Sequence, residues 1–363
     1  MKFSVEQNEL TSAISTAIKG VSGKNTIELL KGILFETYED RLILTSNNLE
    51  IGIQTSIHAT IEQHGKVVID ARIISDIVKK LPASYVDIKV DDSNVVSISS
   101  GLARFNIKGF DAEDFPMPVT IDDEDYKEIP ADIFREMIRK TSFAVSSDET
   151  KPLLMGELIE FKEDGINIVA IDGFRLAIKK SFGDFASTYS KIVVPGKTLQ
   201  EVSRMIGSDT DVLKLGYDAK HAVFIMGETI FTTRLLAGEF LNYNEILPKE
   251  FSTKVTVRVS DFLDSLERSA VVSKNNLVKL EIKDDYIRLT AKNDEIGNLE
   301  ENIAIDLEGN DLEIAFNSRY FIECIKNIDE ESITLEFNTN VSPCILRPVG
   351  DDSYTYLLLP VRI

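Results

Sequence analysis

Apolar positions recur with helical spacing in six places along the chain. Residues 8–20 put Leu10, Ala13, Ile14, Ala17 and Ile18 on one face, the period of an amphipathic helix. Residues 72–81 do the same with Ile73, Ile74, Ile77, Val78 and Leu81, leaving Arg72, Lys79 and Lys80 on the free side. In 131–141 the inward set is Ile133, Phe134, Met137 and Ile138, with Arg135, Arg139 and Lys140 free. Segments 197–206, 260–270 and 318–328 complete the helices. Between them, stretches such as "YIRLTAK" and "SITLEF" alternate apolar and polar side chains, as half-buried strands do. The stretch "IVAIDGFRLAI" (168–178) reads as strand, tight turn at Asp172-Gly173, and strand with core-facing leucines.

This order of elements occurs three times. Residues 66–90, 191–215 and 312–337 each read as a short strand, a helix, a polar turn and a second strand. Matching Asp70, Pro195 and Asn317 gives offsets of 125 and 122 residues. The expected fold class is α+β, with three repeated domains of two helices packed on antiparallel sheets. Their bounds are 1–122, 127–248 and 253–363. The acidic run Asp122-Asp123-Glu124-Asp125 reads as one linker and "PKEFSTK" (248–254) as the other.

Charge sharpens the picture. The chain carries 40 basic and 60 acidic side chains, a formal charge of −20, which by itself argues against a phosphate-rich partner. The six helices nevertheless hold 12 basic and 9 acidic residues, so the acidity lies outside them. If the free helix faces share one surface, that surface is basic on an acidic body.

Candidate chemistry is sparse. "GVSGKNT" (20–26) has two residues rather than four between its glycines, and Asn25 follows the lysine where a phosphate loop needs serine or threonine. His58, His64 and His221 form no metal or base motif, and no G-x-S-x-G elbow occurs. Cys324 and Cys344 have neither metal-type spacing nor a disulfide framework, which fits a reducing cytoplasm. Paired acids such as Asp91-Asp92 and Asp351-Asp352 read as solvated turns. The expectation is a protein that is not an enzyme, without metal or cofactor. The start "MKFSVEQNEL" lacks the apolar core of a signal peptide, and no apolar run is long enough to span a membrane.

Four motifs, in order and over the whole length, carry a resemblance: "MKFSV", "AIDGFRLA" (170–177), "GEFLNYNEILP" (238–248) and "LLLPVRI" (357–363). With the threefold repeat they resemble the bacterial sliding clamps, the beta subunits of DNA polymerase III. The resemblance implies a ring-forming DNA clamp fold, closed head to tail by two chains, with twelve helices around the hole. Such a ring encircles double-stranded DNA without sequence preference and tethers the replicative polymerase, the clamp loader and other partners. It implies DNA-facing positions at Lys24, Arg72 and Lys197, to which the free helix faces add Lys79, Lys80, Arg135, Arg139, Lys140 and Arg204. Gly196 stands where the family usually has arginine.

It also implies a cleft that takes a short partner motif, roughly Q-L-x-L-F. Carried over by position, the cleft comprises Lys151, Leu153, Leu154, Ile171, Gly173, Phe174, Arg175, Leu176, Leu241, Ile246, Val341, Pro343, Leu357, Leu359, Pro360, Val361 and Arg362. Ile171, Leu241 and Glu245 depart from the usual threonine, proline and basic residue. Burying one leucine and one phenylalanine at roughly 1.5–3 kcal/mol each, with a few backbone hydrogen bonds at about 1 kcal/mol apiece, gives an affinity of about micromolar. The dimer interface would bring Arg104, Phe105 and Ile107 against Val271, Val272, Glu300 and Glu301. The rival expectations are a non-DNA scaffold of three interaction domains and a hydrolase.

Overall fold

The computed structural model describes residues 1–23, 27–121, 126–185, 188–208 and 210–362. The first repeat runs β1 (Lys2–Glu6), α1 (Gln7–Ala17), β2 (Gly32–Tyr38), β3 (Arg41–Asn47), β4 (Ile51–His58), β5 (Thr60–Gln63), β6 (Lys66–Asp70), α2 (Ala71–Val78), β7 (Tyr85–Val90), β8 (Val95–Ser100), β9 (Ala103–Lys108). The second runs β10 (Lys127–Pro130), α3 (Ala131–Thr141), β11 (Gly156–Lys162), β12 (Gly165–Ile171), β13 (Arg175–Phe182), β14 (Ser190–Pro195), α4 (Gly196–Met205), β15 (Val212–Tyr217), β16 (His221–Met226), β17 (Thr229–Arg234). The third runs β18 (Thr253–Arg258), α5 (Val259–Val272), β19 (Leu277–Lys283), β20 (Tyr286–Asn293), β21 (Gly297–Ala304), β22 (Asp306–Gly309), β23 (Leu312–Asn317), α6 (Ser318–Ile325), β24 (Ser332–Phe337), β25 (Cys344–Pro348), β26 (Tyr354–Leu358).

The residues that align the repeats are the ones that start their second helices. Asp70 accepts hydrogen bonds from the backbone N–H of Arg72 and Ile73 at 3.0 and 2.9 Å, and Asn317 accepts from Arg319 at 3.0 Å. A side-chain oxygen there satisfies a helix-end donor that has no partner inside the helix. The cap fixes the helix's rotation. Ala71, Ile74, Ser75 and Val78 face inward, whereas Ile73, expected in the buried stripe, is about half exposed beside Arg72.

Strands of neighbouring repeats join. One sheet has the order β10-β15-β16-β17-β4-β3-β2-β6, so β17 of the second repeat pairs with β4 of the first. Another has the order β14-β11-β12-β13-β26-β25-β24-β18-β22, so β13 pairs with β26 of the third. The remaining sheets, β5-β1-β7-β8-β9 and β21-β20-β19-β23, each belong to one repeat. Packing accordingly divides the chain into two compact units, Met1–Ala131 with Arg204–Leu235 and Asp132–Ser203 with Leu236–Ile363. Each unit holds one of the two joined sheets.

In the first unit, α1 and α2 lay Leu10, Ile14, Ile74 and Val78 on Phe3, Phe35, Ile69 and Ile98. In the second, one face of the nine-stranded sheet, with Ala177, Tyr356 and Leu358, packs on Phe262, Phe316 and Phe321. Cys324 and Cys344 lie wholly inside this core, and burial pushes the Cys324 thiol up to about 12. Strand alternation sends Leu176, Ile178 and Leu357 to the other face, into a separate cluster. Among the described residues no helix is long and apolar enough to cross a membrane.

One buried acid sets a pH response. Glu157 on β11 is fully buried, and desolvation pushes its carboxyl up to about 8. Its Oε2 lies 2.6 Å from the Thr141 hydroxyl, which also lies 2.9 Å from the Met137 carbonyl. A neutral carboxyl fits both contacts: it donates to Thr141, and Thr141 donates to Met137. The folded chain therefore holds an extra proton between the ordinary carboxylate range and about pH 8, and stability falls as pH rises through that window. The slope is at most about 1.4 kcal/mol per pH unit. Glu157→Gln is expected to remove that contribution, as read by urea denaturation between about pH 5 and about pH 9.

Candidate functional site

The Asp-Gly turn joins β12 to β13. The Asp172 carboxylate accepts from the N–H of Phe174 at 2.9 Å and of Arg175 at 3.1 Å. Gly173 holds φ +95 with open space where a side chain would project, so backbone conformation alone calls for glycine. The turn points Phe174 outward, 59% exposed, and Arg175 inward, 7% exposed.

Arg175 is the polar centre of this region. Its Nε donates to Asp172 Oδ2 at 2.9 Å, its Nη2 to the Phe143 carbonyl at 2.6 Å, and its Nη1 to Glu323. The guanidinium lies 4.5 Å from the Tyr320 ring centre and 5.6 Å from that of Phe143. Burial opposes its charge, but the surrounding interactions, Glu323 and Asp172 among them, more than offset this and hold its pKa above the ordinary value. Burial likewise works against the charge of Glu323, yet bonds from Arg319 and Arg175 keep its carboxyl low. The planar fork reaches three separated acceptors from three different nitrogens, a spread that a lysine's single ammonium does not match. Arg175 therefore braces the Asp172-Gly173 turn from beneath.

Leu153, Leu154, Ile171, Leu176, Ile246 and Leu357 come together in one apolar cluster with Phe240, Tyr243 and Ile345. Leu241, Val341, Leu359 and Val361 remain exposed, with Pro343 and Pro360 half-buried and Lys151 and Arg362 at the surface. The last strand is followed by a pinned segment: Leu359 N–H donates to the Phe174 carbonyl at 2.9 Å and Val361 N–H to that of Ala315 at 2.8 Å. Phe174 in turn stacks on Tyr320, ring centres 6.2 Å apart.

The loop that carries Leu241 and Ile246 is fixed by a residue the sequence did not single out. Glu160, on β11, accepts from Tyr243 Oη at 2.6 Å, Tyr189 Oη at 2.9 Å and Asn167 Nδ2 at 3.2 Å. Burial opposes the Glu160 charge, and the bonds from Tyr243, Tyr189 and Lys162 overcome it and hold the carboxyl low. Tyr243 lay in a quoted motif; Glu160, like Tyr320, Glu323 and Phe143, had no local signature.

The basic positions divide. Arg72, Arg135, Lys197 and Arg204 are exposed on their helices, Lys79 and Lys80 are exposed in the turn just past the end of α2, and Lys24 lies outside the described residues, as does the expected linker 122–125. Lys140 is a correction. It is 2% exposed, held 3.1 Å from Glu136, 3.6 Å from Asp329 and 3.7 Å from Glu330, because its place on α3 turns it toward those acids instead of solvent. Arg139, expected to be free, is paired with Asp329 at 2.5 Å. Gly196 has a steric reason: a Cβ there would meet the Val145 methyls at 2.9 Å.

Along β9, Arg104 and Phe105 are exposed and Ile107 is half-buried. At the end of α5, Val271 is exposed and Val272 half-buried. Glu301 already pairs with Arg268 at 2.6 Å, and Glu300 lies 3.6 Å from Arg288. Among the described residues no group of three or more histidines, cysteines or acids could hold a metal ion.

The comparisons agree with one another. Family models of the DNA polymerase III beta subunit match in three stretches: the N-terminal domain over 1–120, the central domain over 128–242 and the C-terminal domain over 244–362. The beta sliding clamp of Bacillus subtilis strain 168 is 31% identical over 376 residues, covering 100% of both chains. That of Staphylococcus aureus strain Mu50 is 30% identical over 374 residues, covering 100% of this chain and 99% of its own. The crystal structure of the Bacillus subtilis DNA polymerase sliding clamp superposes with a TM-score of 0.97 at 31% identity, covering 100% and 99%. The beta subunit of Streptococcus pyogenes gives 0.96 at 28%, covering 100% of both.

Two outcomes test the site. Arg175→Ala leaves two partly buried carboxylates without their cation and is expected to lower the unfolding free energy by about 3–5 kcal/mol in urea titrations. Gly196→Arg is expected to destabilise the chain, and Val145→Ala in the same chain to recover part of the loss, a coupling that a double-mutant cycle measures.

Proposed function

We propose, from the premise that this chain belongs to the bacterial sliding clamp family, the beta subunits of DNA polymerase III, that it is the processivity factor of a replicative polymerase. It works as a ring of two copies that encircles duplex DNA and holds partner proteins in its apolar cleft. It is non-catalytic, resides in the cytoplasm, and has three domains, 1–122, 127–248 and 253–363. The matched stretches 1–120, 128–242 and 244–362 support that division.

One observation carries the ring: each joint between repeats uses the same two strand positions, and one such pair is left open. The strand third from the start of a ladder (β4, β13) pairs with the last strand of the next repeat (β17, β26). The remaining members of the two sets are β9 and β21, and each is the edge of its sheet. An open edge presents unpaired backbone donors and acceptors that favour another strand. A second copy offers the complementary edge at both ends, which closes the assembly head to tail.

The joints also give the register. Thr229, first in β17, faces Thr55, three residues before His58, which ends the β3–β4 ladder opposite Arg41. Tyr354, first in β26, faces Lys179, three residues before Phe182, which ends the β12–β13 ladder opposite Gly165. In the third repeat that end is Ala304 opposite Tyr286. By the same rule Ala103 faces Glu301 of the partner subunit, Arg104 faces Glu300 and Phe105 faces Leu299. The apolar faces agree, since Phe105 lies opposite Ile98 and Leu299 opposite Ala291 within their own sheets.

For DNA, the exposed cations Arg72, Lys79, Lys80, Arg135, Lys197 and Arg204 serve as phosphate contacts, which carry no sequence information. Enclosure holds the duplex, so few strong contacts are needed and sliding stays easy. The cleft takes a short segment with apolar side chains, against Leu153, Leu154, Ile171, Leu176, Ile246 and Leu357, at about micromolar affinity.

Retention tests the whole reading. Loaded on nicked circular DNA, the protein is expected to stay until the circle is cut; equal loss from circle and linear form would sink the ring. For the register, Arg104→Glu is expected to weaken self-association about fivefold, as a partly exposed ion pair does, and added Glu300→Arg to restore it, by sedimentation.

A further inference from the structure

We propose, resting on the cleft reading above, that a cavity beside the cleft takes an acidic side chain flanking the apolar motif of a partner. The cavity measures about 390 Å³ and its wall includes Lys274, Leu277, Lys292, Asn317 and Val361. It adjoins the cleft through one shared residue. Val361 belongs to both, on the segment pinned by Phe174 and Ala315. Asn317 caps the helix on which Tyr320, one turn later, stacks against Phe174. A partner segment that runs past Val361 meets the cavity as it leaves the cleft.

The charge of the wall selects what enters. Among the described residues no carboxylate pairs with Lys274 or Lys292, and Asp294 is the one acid on the wall. Two ammonium groups with asparagine amides as further donors form an acceptor-seeking site on a chain of formal charge −20. A carboxylate satisfies both lysines; a neutral side chain leaves them hydrated, and a basic one adds repulsion. Leu277 and Val361 supply an apolar rim for the methylenes of a glutamate or aspartate. The mouth is open to solvent, so the effect is one of preference between partners, and salt weakens it.

Fluorescence anisotropy with three peptides tests this on the full chain. All carry the same apolar motif; one has two glutamates on its N-terminal side, one has them on its C-terminal side, and one has glutamines at both. The protein is expected to favour one acidic peptide over the glutamine peptide by about fivefold at low salt, on the scale of two partly exposed ion pairs. Lys274→Gln with Lys292→Gln should abolish that preference and leave binding of the glutamine peptide unchanged. Equal binding of all three peptides overturns the cavity and leaves the cleft standing. No binding of any peptide overturns both. If the double change weakens retention on duplex DNA while the acidic preference persists, the lysines serve phosphate and the inference falls.

Discussion

Backbone pairing between repeats is the constraint on which the rest depends. A sheet edge left open within a repeat invites pairing with another strand, and here two of the three such edges are covered from inside the chain, β4 by β17 and β13 by β26. The cleft is a product of the second joint. Leu176 lies opposite Leu357 across it, and strand alternation turns both away from the Phe262 core into the cluster with Leu158, Val169 and Tyr243. The proposed cleft is thereby built on backbone hydrogen bonds that also hold the second unit together.

The polar groups under the cleft complete this arrangement. Arg175 ties the turn to α6 through Glu323, and Glu160 ties the loop of Leu241 to β11 through Tyr243. Each is a buried charge fully matched by donors or acceptors, the form in which burial is tolerated. The exposed Phe174 rests on this base, with Tyr320 as its stacking partner.

Much of this was legible in the sequence because its periods are local. The six helices, the offsets fixed by Asp70 and Asn317, and the strand-turn-strand around Gly173 all depend on residues a few positions apart. The misreadings come from what lies beyond a helix's own turn. Ile73 follows the helical spacing but stands outside because the cap sets the rotation. Lys140 sits among free-looking cations, yet Asp329 and Glu330, nearly two hundred residues on, draw it inward. Glu160 and Glu323 looked like two of many acids, since nothing nearby marks a carboxylate that will meet a tyrosine far along its own repeat, as Glu160 does, or an arginine from another, as Glu323 does.

The joint between β17 and β4 has a temporal side. Thr55 and Thr229 bond through their hydroxyls at a separation of 174 positions along the chain. During synthesis the first hundred residues therefore emerge with one strand lacking its neighbour, and the missing partner leaves the ribosome many seconds later at ordinary elongation speeds. Until then the nascent segment carries a bare ladder flank, prone to pairing with a second nascent copy, and the long separation makes its proper closure slow. An unpaired strand edge early in translation follows from the same pairing that later joins the two repeats.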